Sequence, residues 1–466
     1  MRFTRYTTPF FSLLLSGCVV GPNYAPPEMP LPAKFSEGGV TSNGDVTVVA
    51  WWTAFNDPML TSYVEQGISQ NLDVQQAIER IDLAAANVTI AEASALPGLT
   101  LSGSHTVSGQ KGKLRKQTYT SNTSTGELSL TWLLDFGVYK RNTESAEAAL
   151  DAAYASVDMA KLAFINDIIS SYVDARYYQR RLALSQANLK SRRETFELTT
   201  SKFAAGAVAR MDVVRAEGLV QSTLAEIPSL DANFRISAHR IATLLGKPAG
   251  SMVEEIAKGS NQPAFHADVN VGIPADIIRN RPDIRKAERD LAASTAQIGV
   301  AEAKLFPSIT LSGSISPSGI NERGVYGNLT SWSFGPSLNL PILDGGSLRA
   351  NVERIKSKAT ISYLNWKSTV LKAVEQVENA LVAMHRDACT VQALKAAVKT
   401  AEETLKLSTS SYKDGASSLL DLLEAQRSFS VTQVSLATAI QQSAKDYVRL
   451  INAIGGRIQP VSKERF

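Results

Sequence analysis

Ala91-Glu92-Ala93-Ser94-Ala95-Leu96-Pro97, followed by Leu99-Thr100-Leu101-Ser102-Gly103-Ser104, decides how this chain is built, because it is written twice. Ala301-Glu302-Ala303-Lys304-Leu305-Phe306-Pro307 and Ile309-Thr310-Leu311-Ser312-Gly313-Ser314 repeat it 210 residues later. Beyond that point the offset becomes 209 and holds. Asp135 matches Asp344, Phe203 matches Tyr412, Gly206 matches Gly415, Asp212 matches Asp421, and Leu245-Gly246 matches Ile454-Gly455. One single-residue shift over such a span identifies a tandem duplication of about 200 residues.

Each copy has the same grammar. A helix ends near Pro97 or Pro307, and a strand follows. A polar Gly/Ser/Asn-rich loop then leads to a second strand ending at Asp135-Phe136-Gly137 or Asp344-Gly345-Gly346. The strands alternate with period two: Leu99, Leu101, Gly103 and Val107 against Thr100, Ser102, Ser104 and Thr106, with Ile309, Leu311, Gly313 and Ile315 repeating them. Leu128, Leu130, Trp132 and Leu134 line one face of the second strand, and Trp332, Phe334, Leu338, Leu340 and Ile342 one face of the fourth. Segments of about ten residues with an apolar face and a Ser/Thr face suit a transmembrane barrel with a wet lumen. Soluble sandwiches alternate in the same way. Four strands cannot close a barrel, since single-chain barrels begin at about eight. Membrane strands would therefore require two, three or four chains to share one barrel.

The remaining length is helical. Between Gly137 and Gly206 lie 68 residues without Gly or Pro, and between Gly346 and Gly415 another 68. At about 1.5 Å per residue each reaches roughly 100 Å, and rods of that length need lateral partners. Val370, Val374, Val377, Leu381 and Met384 predict a coiled-coil seam, and Leu150, Tyr154, Val157, Leu162, Ile165, Ile169 and Tyr172 a second one. Gln426 and Gln433 interrupt the stripe of the last helix, as expected where one side meets water. A solid coiled-coil stalk shares these features.

The N-terminus carries Arg2 and Arg5, the apolar run 9–15 and then Leu15-Ser16-Gly17-Cys18. A basic region, a short apolar run and small residues before the cut describe a secretory signal. With cysteine directly after Leu-Ser-Gly, it resembles a lipoprotein signal in which Cys18 becomes the acylated N-terminus. Val19 and Val20, with no Asp beside the cysteine, imply sorting to the outer membrane on the same resemblance. Cys389 is then a lone thiol. Net charge is +4, or +2 without Arg2 and Arg5, so no basic field for nucleic acid is implied. Past the signal no apolar run of 18 residues occurs, and a membrane crossing must use strands. The four histidines His105, His239, His266 and His385 show no metal-ligand spacing. Phosphate-loop and nucleophile-elbow motifs are missing. No enzyme, cofactor or metal is expected, apart from the covalent lipid on Cys18.

Arg281-Pro282-Asp283-Ile284-Arg285-Lys286-Ala287-Glu288, leading to Ala301-Glu302-Ala303 and Phe306-Pro307-Ser308-Ile309, resembles the outer-membrane factor (TolC-like) family. Gly21-Pro22-Asn23-Tyr24, Trp51-Trp52 and Phe55-Asn56-Asp57-Pro58 resemble its lipoprotein branch, which partners resistance-nodulation-division pumps. The resemblance implies an α+β membrane protein: a homotrimer with a twelve-stranded β-barrel continuing into a periplasmic α-helical barrel. It also implies a periplasmic adaptor, an inner-membrane pump and a place in the outer membrane. The expected domains are a signal peptide (1–17), a lipid-anchored segment (18–60), repeat 1 (61–250), an equatorial linker (251–273), repeat 2 (274–456) and a C-terminal tail (457–466). The expected function is an exit duct for efflux or secretion; a trimeric coiled-coil anchor without transport is the alternative.

Candidate functional residues gather at the hairpin tips. Asp421 and Glu424, three apart on one helix, share a face. In a trimer they would form a six-carboxylate ring able to bind cations, and the family's constriction lies at these positions. Asp421 also suits a helix start, as does its mirror Asp212. Glu424, whose mirror is Arg215, has no such duplicated role. The resemblance makes Tyr412 a gate residue bonding Asp212 of a neighbouring hairpin, with Arg215 among the gate contacts. Gly206 and Gly415 mark the tips expected to meet the adaptor. Some family members carry Arg where this chain has Ser417. The basic loop Gln110 to Lys116 is read as solvated, with lipopolysaccharide phosphates as the alternative partner.

Overall fold

The structure is a computed structural model, and it describes residues 19–37, 50–112, 115–259, 261–264, 281–322 and 324–456. Residues 1–18, which hold the expected signal peptide and Cys18, the tail 457–466, linker residues 260 and 265–273 with His266, and residues 113–114 of the basic loop lie outside the described residues.

A 3-10 turn at Trp51–Phe55 precedes α1 (Pro58–Gln70) and α2 (Leu72–Ala93). Then come β1 (Gly98–Gly112), β2 (Arg115–Leu134), α3 (Val138–Ala204), α4 (Arg210–Leu244) and the short α5 (Val253–Ala257). The second copy runs α6 (Pro282–Ala303), β3 (Ser308–Glu322), β4 (Val325–Asn339), α7 (Ser347–Lys413) and α8 (Leu419–Ala453). The duplication is reproduced to the residue: α2 and α6 have 22 residues each, α3 and α7 have 67, α4 and α8 have 35. No described helix is long and apolar enough to cross a membrane.

Packing cuts across the repeats. One unit comprises residues 1–28, 80–153 and 286–367; the other comprises 29–79, 154–285 and 368–466. Each unit therefore takes part of both copies.

In the first unit the strands form one antiparallel sheet in the order β1-β2-β3-β4. β2 and β3 join the two copies, with Trp132 opposite Leu311 and Leu130 opposite Gly313. The strands hold 15, 20, 15 and 15 residues, longer than the ten expected, because the hairpin ladders continue past the apolar stretches into the polar loops. The β2–β3 ladder skips Ser316 and Pro317, since proline has no N–H to give. β4 ends at Asn339, so Leu340 and Ile342 lie beyond the strand, in a segment broken by Pro341. Leu101, Trp332 and Phe334 are each more than 70% exposed on this sheet. The Asp135–Asp344 match has a structural cause. Asp135 accepts from the N–H groups of Gly137 (2.9 Å) and Val138 (2.6 Å), and Asp344 from those of Gly346 (3.0 Å) and Leu348 (2.6 Å), so each starts a long helix.

In the second unit the core is aromatic and aliphatic. Trp51, Phe55 and Tyr447 meet edge-on at 5.4–6.0 Å, and Phe164, Ile165, Ile168, Ile169 and Tyr172 of α3 are buried. The α3 stripe is broader than predicted; Leu150 and Tyr154 are only half-buried. On α7 the seam runs through Val370, Ala373, Val377, Ala380 and Leu381, with Val374 and Met384 half-buried. Alanine, invisible to a search for large apolar residues, carries part of it. Gln426 corrects the water-facing expectation: it is 5% exposed, and its Nε2 donates to Thr195 Oγ1 of α3 at 2.8 Å.

Asp387 on α7 and Asp446 on α8 face each other. Asp446 is buried, accepting from Arg449 Nη1 (2.6 Å) and Gln442 Nε2 (2.9 Å). Burial, and then the hydrogen bond and charge of Asp446, push the Asp387 carboxyl up to about 6 from the usual 3.8, partly offset by Arg449. Between those two values the folded chain keeps a proton that the unfolded chain has lost. This group therefore supports folding most below pH about 4, and its support declines as pH rises through about 6. Asp387→Asn should flatten that part of the stability–pH curve measured by denaturant titration. An unchanged slope between pH 4 and 7 would contradict the pairing.

Candidate functional site: the hairpin tips

The two helical hairpins, α3–α4 and α7–α8, both end in the second unit. Their turns are the same device. Gly206 (φ 74°) and Gly415 (φ 78°) are left-handed, a conformation only glycine takes without steric cost. Ala207 N donates back to Lys202 O (2.8 Å), and Ala416 N to Ser411 O (2.8 Å), so both long helices close in a Schellman motif. Space beside both glycines is open.

The returning helices start differently. Asp421 accepts from Ser418 N (3.1 Å) and Ser418 Oγ (2.7 Å), while Asp421 N donates to Ser418 Oγ at 3.3 Å. This is a reciprocal capping box, and the Ser418-x-x-Asp421 spacing is its sequence signal. Asp212 has Ala209 at the equivalent position, and accepts only from the Ala209 N–H at 3.3 Å. Arg215 leans toward Asp212 at 3.9 Å.

Leu419, Leu422 and Leu423 pack with Tyr412 against Leu198, Leu219 and Leu405. That turns Asp421 and Glu424 to the opposite, exposed face of α8. Glu424 is 67% exposed, with only Arg427 near it at 3.8 Å. Both carboxylates are thus free to meet solvent or another chain, and Asp421 caps its helix at the same time.

Tyr412 is packed inside the hairpin pair. It is 2% exposed, and its hydroxyl pairs within the same chain with Thr199 Oγ1 at 3.1 Å. Lys202 Nζ lies 4.2 Å from the centre of its ring and donates to the Tyr412 carbonyl. Lys202 therefore caps the last turn of α7 from the neighbouring hairpin, where a cation meets the negative end of the helix. Neither Thr199 nor Lys202 could be picked out beforehand: their mirrors are Ser408 and Ser411, and contact between different helices leaves no local pattern. Lys202→Ala is expected to cost about 1–2 kcal/mol at this tip, and Tyr412→Phe, which loses one hydroxyl bond, about 1 kcal/mol. Hydrogen exchange of residues 408–418 should quicken in both, more in the first; equal protection in both variants and the parent would contradict the latch.

Among the described residues, no group of three or more His, Cys, Asp or Glu could hold a metal. Cys389 is a free, exposed thiol.

A family profile described as outer membrane efflux protein matches residues 64–247 and 273–456, one match for each copy of the repeat. The chain is 90% identical to "Nodulation protein T" of Rhizobium leguminosarum bv. trifolii, over 99% of both chains. It is 30% identical to "Outer membrane protein OprJ" of Pseudomonas aeruginosa, over 96% of this chain and 94% of that one. Among solved structures it is similar to the outer-membrane channel OprN, with a TM-score of 0.84 and 30% identity over 95% of this chain and 100% of that one.

Proposed function

This chain belongs to the outer membrane efflux protein family, and on that premise we propose that it is the lipid-anchored exit duct of a three-part export assembly. Three copies contribute four strands each to a twelve-stranded barrel in the outer membrane, and their long helices form a periplasmic tunnel. The anchor is an acyl group on Cys18. A periplasmic adaptor docks near Gly206 and Gly415 and opens the tip, and an inner-membrane pump of the resistance-nodulation-division type supplies the energy. The duct itself is passive and uses no cofactor. Asp421 and Glu424 line its constriction, and Asp212, Arg215 and Tyr412 set the resting contacts.

The observation that carries this reading is the sheet. Among the described residues it has four strands, its outer strands β1 and β4 have no partner on their far sides, and large apolar side chains stand exposed along it. Such a sheet is unstable in water, with open edges and unburied apolar surface. Closure by further copies inside a bilayer removes both costs. Purified protein should run as a trimer in detergent and give stepwise conductance in planar bilayers. A stable single-copy species, or a trimer that conducts nothing, would overturn the proposal; the second result would favour a structural anchor.

A further inference from the structure

Residues 19–24 belong to no helix or strand, yet several side chains of α3 and α6 hold them. Arg141, in the first turn of α3, is 3% exposed. Its Nε donates to Val20 O (3.1 Å), and its Nη2 to Gly21 O (2.9 Å) and Asn23 Oδ1 (3.0 Å). Its Nη1 is neutralised by Glu144 Oε2 at 2.7 Å. One guanidinium thus spends three of its four bonds on a segment that a loose tether would leave in solvent.

The groove is cut to fit. Gly21 has φ 96°, and a Cβ there would fall 2.4 Å from the Cα of Gly299 on α6. A Cβ on Gly299 would fall 2.8 Å from both Arg141 Cγ and Val20 O. Two glycines therefore face each other where the segment crosses α6. Further along, the Tyr24 hydroxyl donates to Glu288, and the Arg289 guanidinium lies 5.6 Å from the Tyr24 ring. At the other end Val19 rests against Gly137, at the junction of β2 and α3.

We propose that Arg141 is a positioning residue for the membrane anchor, locking residues 19–24 into the groove between α3 and α6. Val19 is thereby fixed beside Gly137, so the strap brings the end that leads to the anchor to the foot of the sheet. That this end carries a lipid rests on the reading of Cys18 as the acylated residue; the lock itself does not. A rigid strap in place of a slack tether sets the depth of the sheet relative to the acyl chains.

The test uses the full chain in detergent and in vesicles, with chymotrypsin cleavage after Tyr24 followed by mass spectrometry. The parent should be cut there at least about tenfold more slowly than an unfolded segment. Arg141→Ala should abolish that protection, and Arg141→Lys, whose single ammonium cannot reach all three strap acceptors, should retain only part of it. Gly21→Ala guards against a folding defect, because it blocks the groove from within the strap. It should release the strap while the helical circular dichroism stays as in the parent. Fast cleavage after Tyr24 in the parent, or a strap that stays protected in Arg141→Ala, would overturn the lock. Labelled palmitate is followed in parallel in the parent and in Cys18→Ser. A strap that is protected without any palmitate on the parent sustains the lock and defeats the lipid reading alone.

Discussion

Replacing Arg176 with alanine should destabilise the second unit by about 3–5 kcal/mol, the sum of a cavity and of polar groups stranded without partners. Arg176 is only 1% exposed, and no carboxylate pairs with it directly among the described residues. Its Nη1 donates to Ile256 O (2.6 Å) and Gln179 Oε1 (2.5 Å), and its Nη2 to Tyr172 OH (2.9 Å). The Tyr172 hydroxyl in turn donates to Asp57 Oδ2 at 2.5 Å, while Asp57 Oδ1 caps α1 by accepting from Met59 N (3.0 Å) and Leu60 N (3.1 Å). The guanidinium therefore ties α1, α3 and α5 together, with Tyr172 linking its charge to that of Asp57. Burial, and then the bond to Asp57, push the Tyr172 phenol well above its usual range, so it stays a donor at any physiological pH. Gly259 makes room: a Cβ there would lie 1.9 Å from Arg176 Nη2. Gly259→Ala should therefore destabilise in the same direction. Guanidinium titration in detergent, followed by helical circular dichroism, measures the effect. A loss below about 1 kcal/mol for Arg176→Ala would mean that the cluster is incidental to stability.

The second large effect concerns conduction. On the trimeric reading, Asp421→Ala combined with Glu424→Ala removes six carboxylates from the constriction. Block of single-channel current by divalent cations should then weaken by at least about tenfold, equivalent to about 1.4 kcal/mol. The two acids are separable. Asp421 holds the Ser418 N–H and hydroxyl, so its loss also costs about 1 kcal/mol of helix-start stability. Glu424 makes no comparable bond, only the loose approach to Arg427 at 3.8 Å. Glu424→Gln should consequently weaken block without changing the unfolding midpoint. Block that survives the double change would place the constriction elsewhere.

Much of the architecture was legible because its signals are local. Helix ends at Gly206 and Gly415, period-two strands and two rods of equal length follow from backbone preferences and spacing that a window of a few residues contains. The duplication extended each reading to its twin, and the observed lengths of 67 and 35 residues agree in both copies. Proline explains where the pattern misled: Pro341 stops β4 before Leu340, and Pro317 leaves a gap in the β2–β3 ladder.

Partners across the chain were not legible. Gln426 looked like a residue meeting water, and it is instead buried against Thr195, 231 positions away. Tyr412 was recognised as important, but Thr199 and Lys202, which hold it, carry no signal in the chain. Nor does the repeat help, since Tyr172 and Arg176 have Leu381 and His385 as mirrors. By itself, then, the order of residues determined the elements, their lengths and their twofold repetition, all of which depend on backbone stereochemistry over short range. Only the tertiary structure decided which side chains meet, because that depends on how one helix is turned about its axis against another, and no stretch of either helix contains that angle.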